Sequence, residues 1–134
     1  MIKRLHHIGI AVNNLQESVA LYERILGLKP LSIVEAPCQQ VKEAVFKVGE
    51  GPEIDLLEPT APDSAVARFL GSRGQGIHHL CFEVDNVDEE LKAMAEKGVE
   101  LIDRQGREGV AGKIGFLHPK SAHGVLIELV EPGE

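Results

Sequence analysis

The chain has 134 residues, 43% of them hydrophobic and 26% charged, and a formal net charge of −7 at pH 7. This composition is typical of a globular protein and argues against disorder, while the negative charge argues against general binding to nucleic acids or acidic membranes. No apolar run approaches the ~20 residues of a membrane span or resembles a signal peptide, and the two cysteines, Cys38 and Cys81, are typical of free thiols in a reducing cytoplasm.

The first half of the chain is predicted to contain a strand, a helix and three further strands. The first strand covers residues 5–12. The helix begins after Asn14, a favourable N-cap residue, and Glu17 follows three positions later as in a capping box. Apolar residues then recur at helical spacing until Gly27, which can end the helix in the left-handed conformation. The later strands are predicted at residues 30–34, 41–48 and 53–57.

A short helix and a second set of the same elements follow. The connecting helix is predicted at residues 64–70 and is expected to end at Gly71. In the second half, a strand near His78 precedes Asn86 and Glu89, which repeat the N-cap pattern before a helix that ends at Gly98. The remaining strands are predicted at residues 100–102, 114–118 and 125–130.

The two halves are similar in sequence as well as in predicted structure. HHIGIAVNNL, which begins at His6, matches HHLCFEVDNV, which begins at His78, and EIDLLEP at 53–59 matches LIELVEP at 126–132. Two matching strings in the same order, 72 and 73 positions apart, indicate an internal duplication. We therefore predict an α+β fold of two tandem βαβββ modules within a single domain, residues 1–134. The repeats are placed at about 5–59 and 77–132, with the connecting helix and turn at about 62–76.

Strand alternation separates the two histidines of each His–His pair. His7 shares a face with Gly9, and His79 shares one with Cys81, so small side chains leave these faces open. We expect His7 and His79 to converge on this open side of the sheet. The other histidines are expected beside the core or in loops: His6, His78, His118 and His123.

Two acidic residues occupy equivalent positions in the repeats. Asp55 and Glu128 each lie among apolar residues, where an ionised carboxylate is costly unless it is paired or binds a metal. Each residue alone is more simply explained as an ordinary strand side chain. The two histidines and two carboxylates together favour a site for Zn²⁺, Co²⁺, Ni²⁺, Mn²⁺ or Fe²⁺ over a thiolate-rich structural zinc site. Glu58 and Glu131, by contrast, are expected to be exposed at strand ends.

The chain resembles the vicinal oxygen chelate superfamily of glyoxalase- and bleomycin-resistance-like proteins, and within it the methylmalonyl-CoA epimerase family. The resemblance covers essentially the whole chain and is strongest in LHHIGIAVNNL, IDLLEPT, GIHHLCFEVDNVDE and FLHPKSAHGVLIELVEP. It implies a curved, partly closed mixed sheet around one divalent metal, with Co²⁺ favoured and Mn²⁺, Ni²⁺ or Zn²⁺ as alternatives. It also implies a homodimer, and the metal ligands that it implies are His7, Asp55, His79 and Glu128.

The resemblance further implies a catalytic base at Glu43, within QQVKEAVFKVG. Relatives usually carry a longer Glu or Gln where this chain has Asp55, and the missing methylene shortens the reach by ~1.5 Å. Either the strand lies closer to the metal in this chain, or a water molecule bridges the gap.

The implied function is the interconversion of the 2R and 2S forms of methylmalonyl-CoA by metal-assisted removal of the C2 proton through an enolate. Inversion at C2 requires a proton-transfer group on each side of the carbon, and Glu43 and Glu128 are the candidates. The loop from Arg104 to Lys113, and Lys120, are candidates for binding CoA phosphates or are plain solvated residues.

Three other functions are alternatives. A glyoxalase I-like lyase or isomerase would use the same scaffold and four metal ligands, but it needs no base at Glu43. A metal-free small-molecule-binding protein of this fold need not keep Asp55 and Glu128, so their presence disfavours it. A ring-cleaving dioxygenase would use a two-His, one-carboxylate iron site in a longer chain.

Overall fold

The chain folds into two compact units. The computed structural model describes residues 1–133. One unit is formed by His7–His78, and the other by Met1–His6 together with the chain from His79 onward. Every helix in residues 1–133 is too short or too polar to cross a bilayer.

The unit His7–His78 contains a four-stranded sheet and two helices. Its strand order is β2-β3-β4-β1, in which β1 and β4 are parallel and the other neighbours are antiparallel. The first five residues of β1 belong to the other unit. In chain order the elements are β1 (Ile2–Ala11), α1 (Leu15–Leu26), β2 (Ser32–Ala36), β3 (Val41–Lys47), β4 (Glu53–Pro59) and α2 (Ala65–Arg73).

Helix α1 begins and ends where the sequence predicts. Asn14 has an extended backbone, and its side-chain oxygen accepts a hydrogen bond from the Glu17 N–H at 2.9 Å. Gly27 follows the helix with φ 68°, a left-handed conformation that costs little without a Cβ atom. Both ends of α1 are therefore fixed by local residues.

The two faces of this sheet carry separate apolar clusters because alternate strand residues point to opposite sides. Leu56 packs under α1, whereas its neighbour Leu57 packs under α2. Each such buried side chain stabilises the fold by ~1.5–3 kcal/mol relative to exposure. The α1 cluster is built on Val12, Leu15, Ala44, Phe46 and Leu56, and the α2 cluster on Ala11, Ala36, Val41, Leu57 and Val66.

The second unit repeats the same arrangement with one helix. Its strand order is β5-β8-β7-β6, in which β5 and β8 are parallel and the other neighbours are antiparallel. Asn86 caps its helix by accepting a hydrogen bond from the Glu89 N–H at 3.0 Å. In chain order the elements are β5 (Gly76–Val84), α3 (Val87–Glu96), β6 (Arg107–Glu108), β7 (Gly112–Leu117) and β8 (Leu126–Pro132).

The strand registers of the two units are equivalent. In the parallel pair β1–β4, Asp55 lies opposite Gly9, and in the pair β5–β8, Glu128 lies opposite Cys81. Gly9 and Cys81 are themselves equivalent positions of the sequence repeat. The predicted α+β fold class with two βαβββ modules is therefore confirmed.

The helix before the second module is longer than predicted. Gly71 was expected to end it, but α2 continues to Arg73 and is followed by Gly74 at φ 76°. Gly71 is not among the glycines with positive φ, so it does not have the left-handed conformation that ends a helix.

The strand predicted at residues 100–102 is reduced to an isolated bridge between Leu101 and Leu117. After this bridge, the Phe116 N–H donates a hydrogen bond to the Asp103 side chain at 2.9 Å. This N–H is therefore not available to extend the backbone pairing between the two segments. The edge strand of this unit instead forms at β6, which the sequence pattern does not predict.

Candidate metal centre

The predicted ligands His7 and Asp55 come together in the first unit. His7 lies opposite Glu53 in the parallel pair β1–β4, so Asp55, two residues further along β4, lies on the same face. His7 is 8% exposed and Asp55 is 5% exposed. The distance from His7 Nε2 to Asp55 Oδ2 is 3.6 Å, so the shorter aspartate reaches the imidazole.

The predicted ligands His79 and Glu128 form the equivalent pair in the second unit. Each is 5% exposed, and the distance from His79 Nε2 to Glu128 Oε1 is 3.0 Å. Phe116 lies opposite Glu128 in the sheet, and its ring meets the His79 ring edge-on at 6.3 Å between centroids. The apolar ring helps to keep water away from this pair, which strengthens its electrostatic interactions.

Both pairs fit the coordination of a divalent transition metal. Two donor atoms at ~2.0–2.2 Å from one ion lie roughly 2.8–3.6 Å apart when the angle at the ion lies between octahedral and tetrahedral values. The observed separations of 3.6 and 3.0 Å fall within that range. Imidazole nitrogens and carboxylate oxygens are donors that such metals accept. Each unit therefore presents two suitable ligands.

Glu43, the predicted base, lies on the same face of the first unit as His7 and Asp55. Val45 is opposite Asp55 in the antiparallel pair β3–β4, and Glu43 is two residues from Val45 along β3. Two residues of extended strand span about 7 Å, so Glu43 lies one such step along β3 from the position opposite Asp55. Its exposed fraction is only 7%.

Three of the other histidines, His78, His118 and His123, lie beside apolar side chains or in turns, as expected. His78 is half-buried and meets the ring of Phe69 on α2 edge-on, with 5.0 Å between centroids. His118 caps a short 3₁₀ turn, where its Nδ1 accepts a hydrogen bond from the Lys120 N–H at 3.0 Å. His123 is exposed and adopts φ 55°.

Two glutamates have a structural role that the local sequence pattern does not predict. Glu58 was expected to be exposed, but its Oε1 accepts a hydrogen bond at 2.8 Å from the Leu15 N–H, in the first turn of α1. Glu131 is bonded in the same way to the Val87 N–H of α3 at 3.0 Å. Each satisfies a backbone donor that a helix start leaves unpaired and complements the helix dipole. Their equivalent places in the repeat were the available signal.

The loop between Arg104 and Lys113 is anchored to α3. Asp88 accepts hydrogen bonds from the Gly106 N–H at 2.7 Å and from Lys113 Nζ at 3.0 Å. The hydrogen bond from the Gly106 N–H lowers the pKa of Asp88 below its ordinary value, and the hydrogen bond from Lys113 has a smaller effect in the same direction. Asp88 in turn raises the pKa of Lys113. Lys113 is therefore bound on the helix side of the sheet, opposite to the face of His79.

Comparison with known proteins assigns the class of the chain. Residues 6–117 match the Glyoxalase/Bleomycin resistance protein/Dioxygenase superfamily, and the chain belongs to this family. It is 42% identical to an uncharacterized protein of Bacillus subtilis (strain 168), over 98% of this chain and 94% of that protein.

Within the superfamily the match is to methylmalonyl-CoA epimerases. The chain is 41% identical to the mitochondrial methylmalonyl-CoA epimerase of Dictyostelium discoideum, over 97% of this chain and 79% of that protein. A solved structure of a methylmalonyl-CoA epimerase in complex with methylmalonyl-CoA and NH4+ superposes with a TM-score of 0.90 at 38% identity, covering 96% of this chain and 94% of the other. The resemblance stated from the sequence is thus confirmed.

A relative with another activity is more distant. The lactoylglutathione lyase of Salmonella typhimurium (strain LT2) is 30% identical, over 96% of this chain and 92% of that protein.

Proposed function

We propose that this protein is an isomerase that interconverts the 2R and 2S forms of methylmalonyl-CoA. One observation carries the proposal: buried Glu43 shares a sheet face with the His7–Asp55 pair, on a chain that superposes on a methylmalonyl-CoA epimerase with a TM-score of 0.90. An epimerase needs such a carboxylate beside its ligands, whereas a glyoxalase I-like enzyme does not.

The two His–carboxylate pairs are proposed to hold one divalent cation, with His7, Asp55, His79 and Glu128 as ligands. Their buried carboxylates, donor types and pair distances support this assignment. Co²⁺ is the proposed ion, with Mn²⁺, Ni²⁺ and Zn²⁺ as alternatives to be compared after metal removal. Such an ion, when bound, supplies Lewis acidity where negative charge develops on the thioester oxygen.

Glu43 and Glu128 are proposed to move the C2 proton. One carboxylate takes the proton from C2, and the electron pair of the C–H bond becomes part of the enolate. The other carboxylic acid returns a proton to the opposite side of C2, which inverts that centre. Burial of both groups keeps bulk water from supplying protons without stereochemical control.

Proton NMR of methylmalonyl-CoA in heavy water tests this function. Metal-loaded protein should exchange the C2 proton for deuterium while 2R and 2S substrate equilibrate, and a chelator should stop the exchange. A parallel assay with the hemithioacetal of methylglyoxal and glutathione tests for glyoxalase activity. Turnover of that compound without exchange at C2 of methylmalonyl-CoA would establish the glyoxalase alternative instead.

We also propose that the protein is a cytoplasmic homodimer. Several large apolar side chains of α1, the following loop and β2 are exposed, which is typical of a surface that associates. Light scattering should give twice the chain mass, and fractionation of cells should place the protein in the cytoplasm. The exposed residues are Leu21, Ile25, Leu26, Leu31 and Ile33.

A further inference from the structure

Arg107 shares a sheet face with the His79–Glu128 pair. Arg107 lies opposite Ile114 in the pair β6–β7, and Phe116 lies opposite Glu128 in the pair β7–β8. Ile114 and Phe116 are two residues apart on β7, so their side chains point to the same side. The guanidinium of Arg107 therefore belongs to the face that carries the candidate ligands of this unit.

The Arg107 guanidinium lies over the aromatic ring that contacts His79 of this pair. Its central carbon lies 5.3 Å from the centre of the Phe116 ring. The Phe116 ring in turn meets the His79 ring edge-on, at 6.3 Å and an interplanar angle of 84°. A single aromatic ring thus links the cation to the candidate metal ligand, and stacking on that ring stabilises the guanidinium.

Asp103 fixes the orientation of Arg107. Asp103 Oδ1 accepts a hydrogen bond from Arg107 Nε at 3.1 Å, while Asp103 Oδ2 accepts one from the Phe116 N–H at 2.9 Å. A guanidinium has five N–H donors, and this bond uses only the one on Nε. The Arg107 side chain is 44% exposed, so a ligand can approach it from solvent.

Arg107 differs from the other cations of its loop. Lys113 is bound to Asp88 on the helix side of the sheet. Arg104 borders a depression of about 600 Å³ together with Leu91 of α3, also on the helix side. Among the three cations between residues 104 and 113, Arg107 alone is on the face of His79.

We propose that Arg107 binds an anionic oxygen group of the acyl-CoA substrate, either the free carboxylate of the acyl chain or a phosphate of CoA. This inference rests on the proposed function. The planar fork of a guanidinium matches both groups with two parallel hydrogen bonds. In a chain of net charge −7, an anionic substrate needs such a local cation.

The test measures binding, so that it does not depend on turnover. Titration calorimetry of the metal-loaded protein would compare malonyl-CoA, acetyl-CoA, which lacks the free carboxylate, and malonyl-pantetheine, which lacks the nucleotide phosphates. Arg107→Ala should weaken malonyl-CoA binding about 10- to 100-fold, the range for a lost charge-assisted hydrogen bond. Arg107→Lys, which keeps the charge and much of the packing, should recover only part of the affinity.

Arg73→Ala is the matched control. Arg73 also stacks on a phenylalanine, 5.8 Å from the Phe69 ring centre, and Phe69 meets His78 edge-on. This variant removes the same charge and the same type of stacking, so it should bind malonyl-CoA like the wild type. Unchanged melting temperatures and metal contents would show that both variants are folded.

The ligand series identifies the group bound by Arg107. A defect that persists with malonyl-pantetheine and vanishes with acetyl-CoA supports the carboxylate, and the reverse pattern supports a phosphate. Equal affinities of Arg107→Ala and wild type for all three ligands would overturn the inference, as would wild-type protein that fails to bind malonyl-CoA. Wild-type protein that binds malonyl-CoA but does not epimerise methylmalonyl-CoA would overturn only the proposed function.

Discussion

Replacing His79 with alanine should abolish the stabilisation of the protein by metal. His79 Nε2 lies 3.0 Å from Glu128 Oε1 in a pair that is almost fully buried, so the substitution removes a ligand that water cannot easily replace. A metal present at 100 times its dissociation constant stabilises the folded state by about 2.7 kcal/mol. An unfolding entropy of ~2.1 cal/mol/K per residue, taken over 134 residues, converts this energy to a rise in melting temperature of about 10 °C.

Thermal unfolding with Co²⁺ and with a chelator measures this difference directly, and elemental analysis after dialysis gives the metal content. Wild type should show the full difference, and His79→Ala should show almost none. His123→Asn is the control, because His123 is exposed and its φ of 55° is tolerated by asparagine. A variant lacking His79 that keeps one ion per chain, or the same shift in melting temperature, would refute the metal assignment.

Three further predictions concern proton transfer, the fold and pH. Glu43→Gln should bind metal normally but exchange the C2 proton at least ~100-fold more slowly, because an amide cannot accept that proton; deuterium wash-in measures this rate. Glu131→Ala should lower the free energy of unfolding in urea by about 1–2 kcal/mol, because the Val87 N–H loses its acceptor. Asp88→Asn should be less stable than wild type at neutral pH, and the difference should disappear in acid. The hydrogen bond from the Gly106 N–H depresses the pKa of Asp88 below 3.8, so its contribution is present above that value and is lost as the pH falls through the depressed pKa.

Each of these predictions has an outcome that contradicts it. Full deuterium wash-in by Glu43→Gln would remove Glu43 from the mechanism. If Glu131→Ala changes the free energy of unfolding by less than about 0.3 kcal/mol, the hydrogen bond between Glu131 and Val87 adds nothing to the stability that the Asn86 cap provides. A stability gap between wild type and Asp88→Asn that persists to acid pH would show that ionisation of Asp88 is not its cause.

The sequence predicts the parts of the fold that local residues determine. The helix starts at Asn14 and Asn86 were identified because a side-chain acceptor and the N–H three residues later are sufficient to define an N-cap. The repeat predicts that β1–β4 and β5–β8 pair in equivalent registers. A shift by one residue in either pair would turn every buried side chain of the shifted strand to the other face. The pairs His7–Asp55 and His79–Glu128 follow from those registers.

Other features depend on contacts that a local pattern does not contain. The edge strand β6 forms where the chain returns to β7, and its two residues carry no alternation of apolar and polar side chains. The bonds of Glu58 and Glu131 join residues 43 and 44 positions apart, so local spacing does not predict them and only the repeat hints at a shared role. The single domain, its repeat limits and a metal shared by the two pairs stay predictions.

The hydrogen bond between Glu58 and the start of α1 has a consequence for protein engineering. The parallel ladder of β1 and β4 sets the spacing of His7 and Asp55, and the Glu58 hydrogen bond joins the end of β4 to the start of α1. The exposed turn around Gly49 and Gly51, which joins β3 to β4, lies outside this ladder. Each doubling of a flexible loop costs only ~0.6 kcal/mol, so this turn is a suitable place to graft a fluorescent or affinity label without disturbing the chemistry.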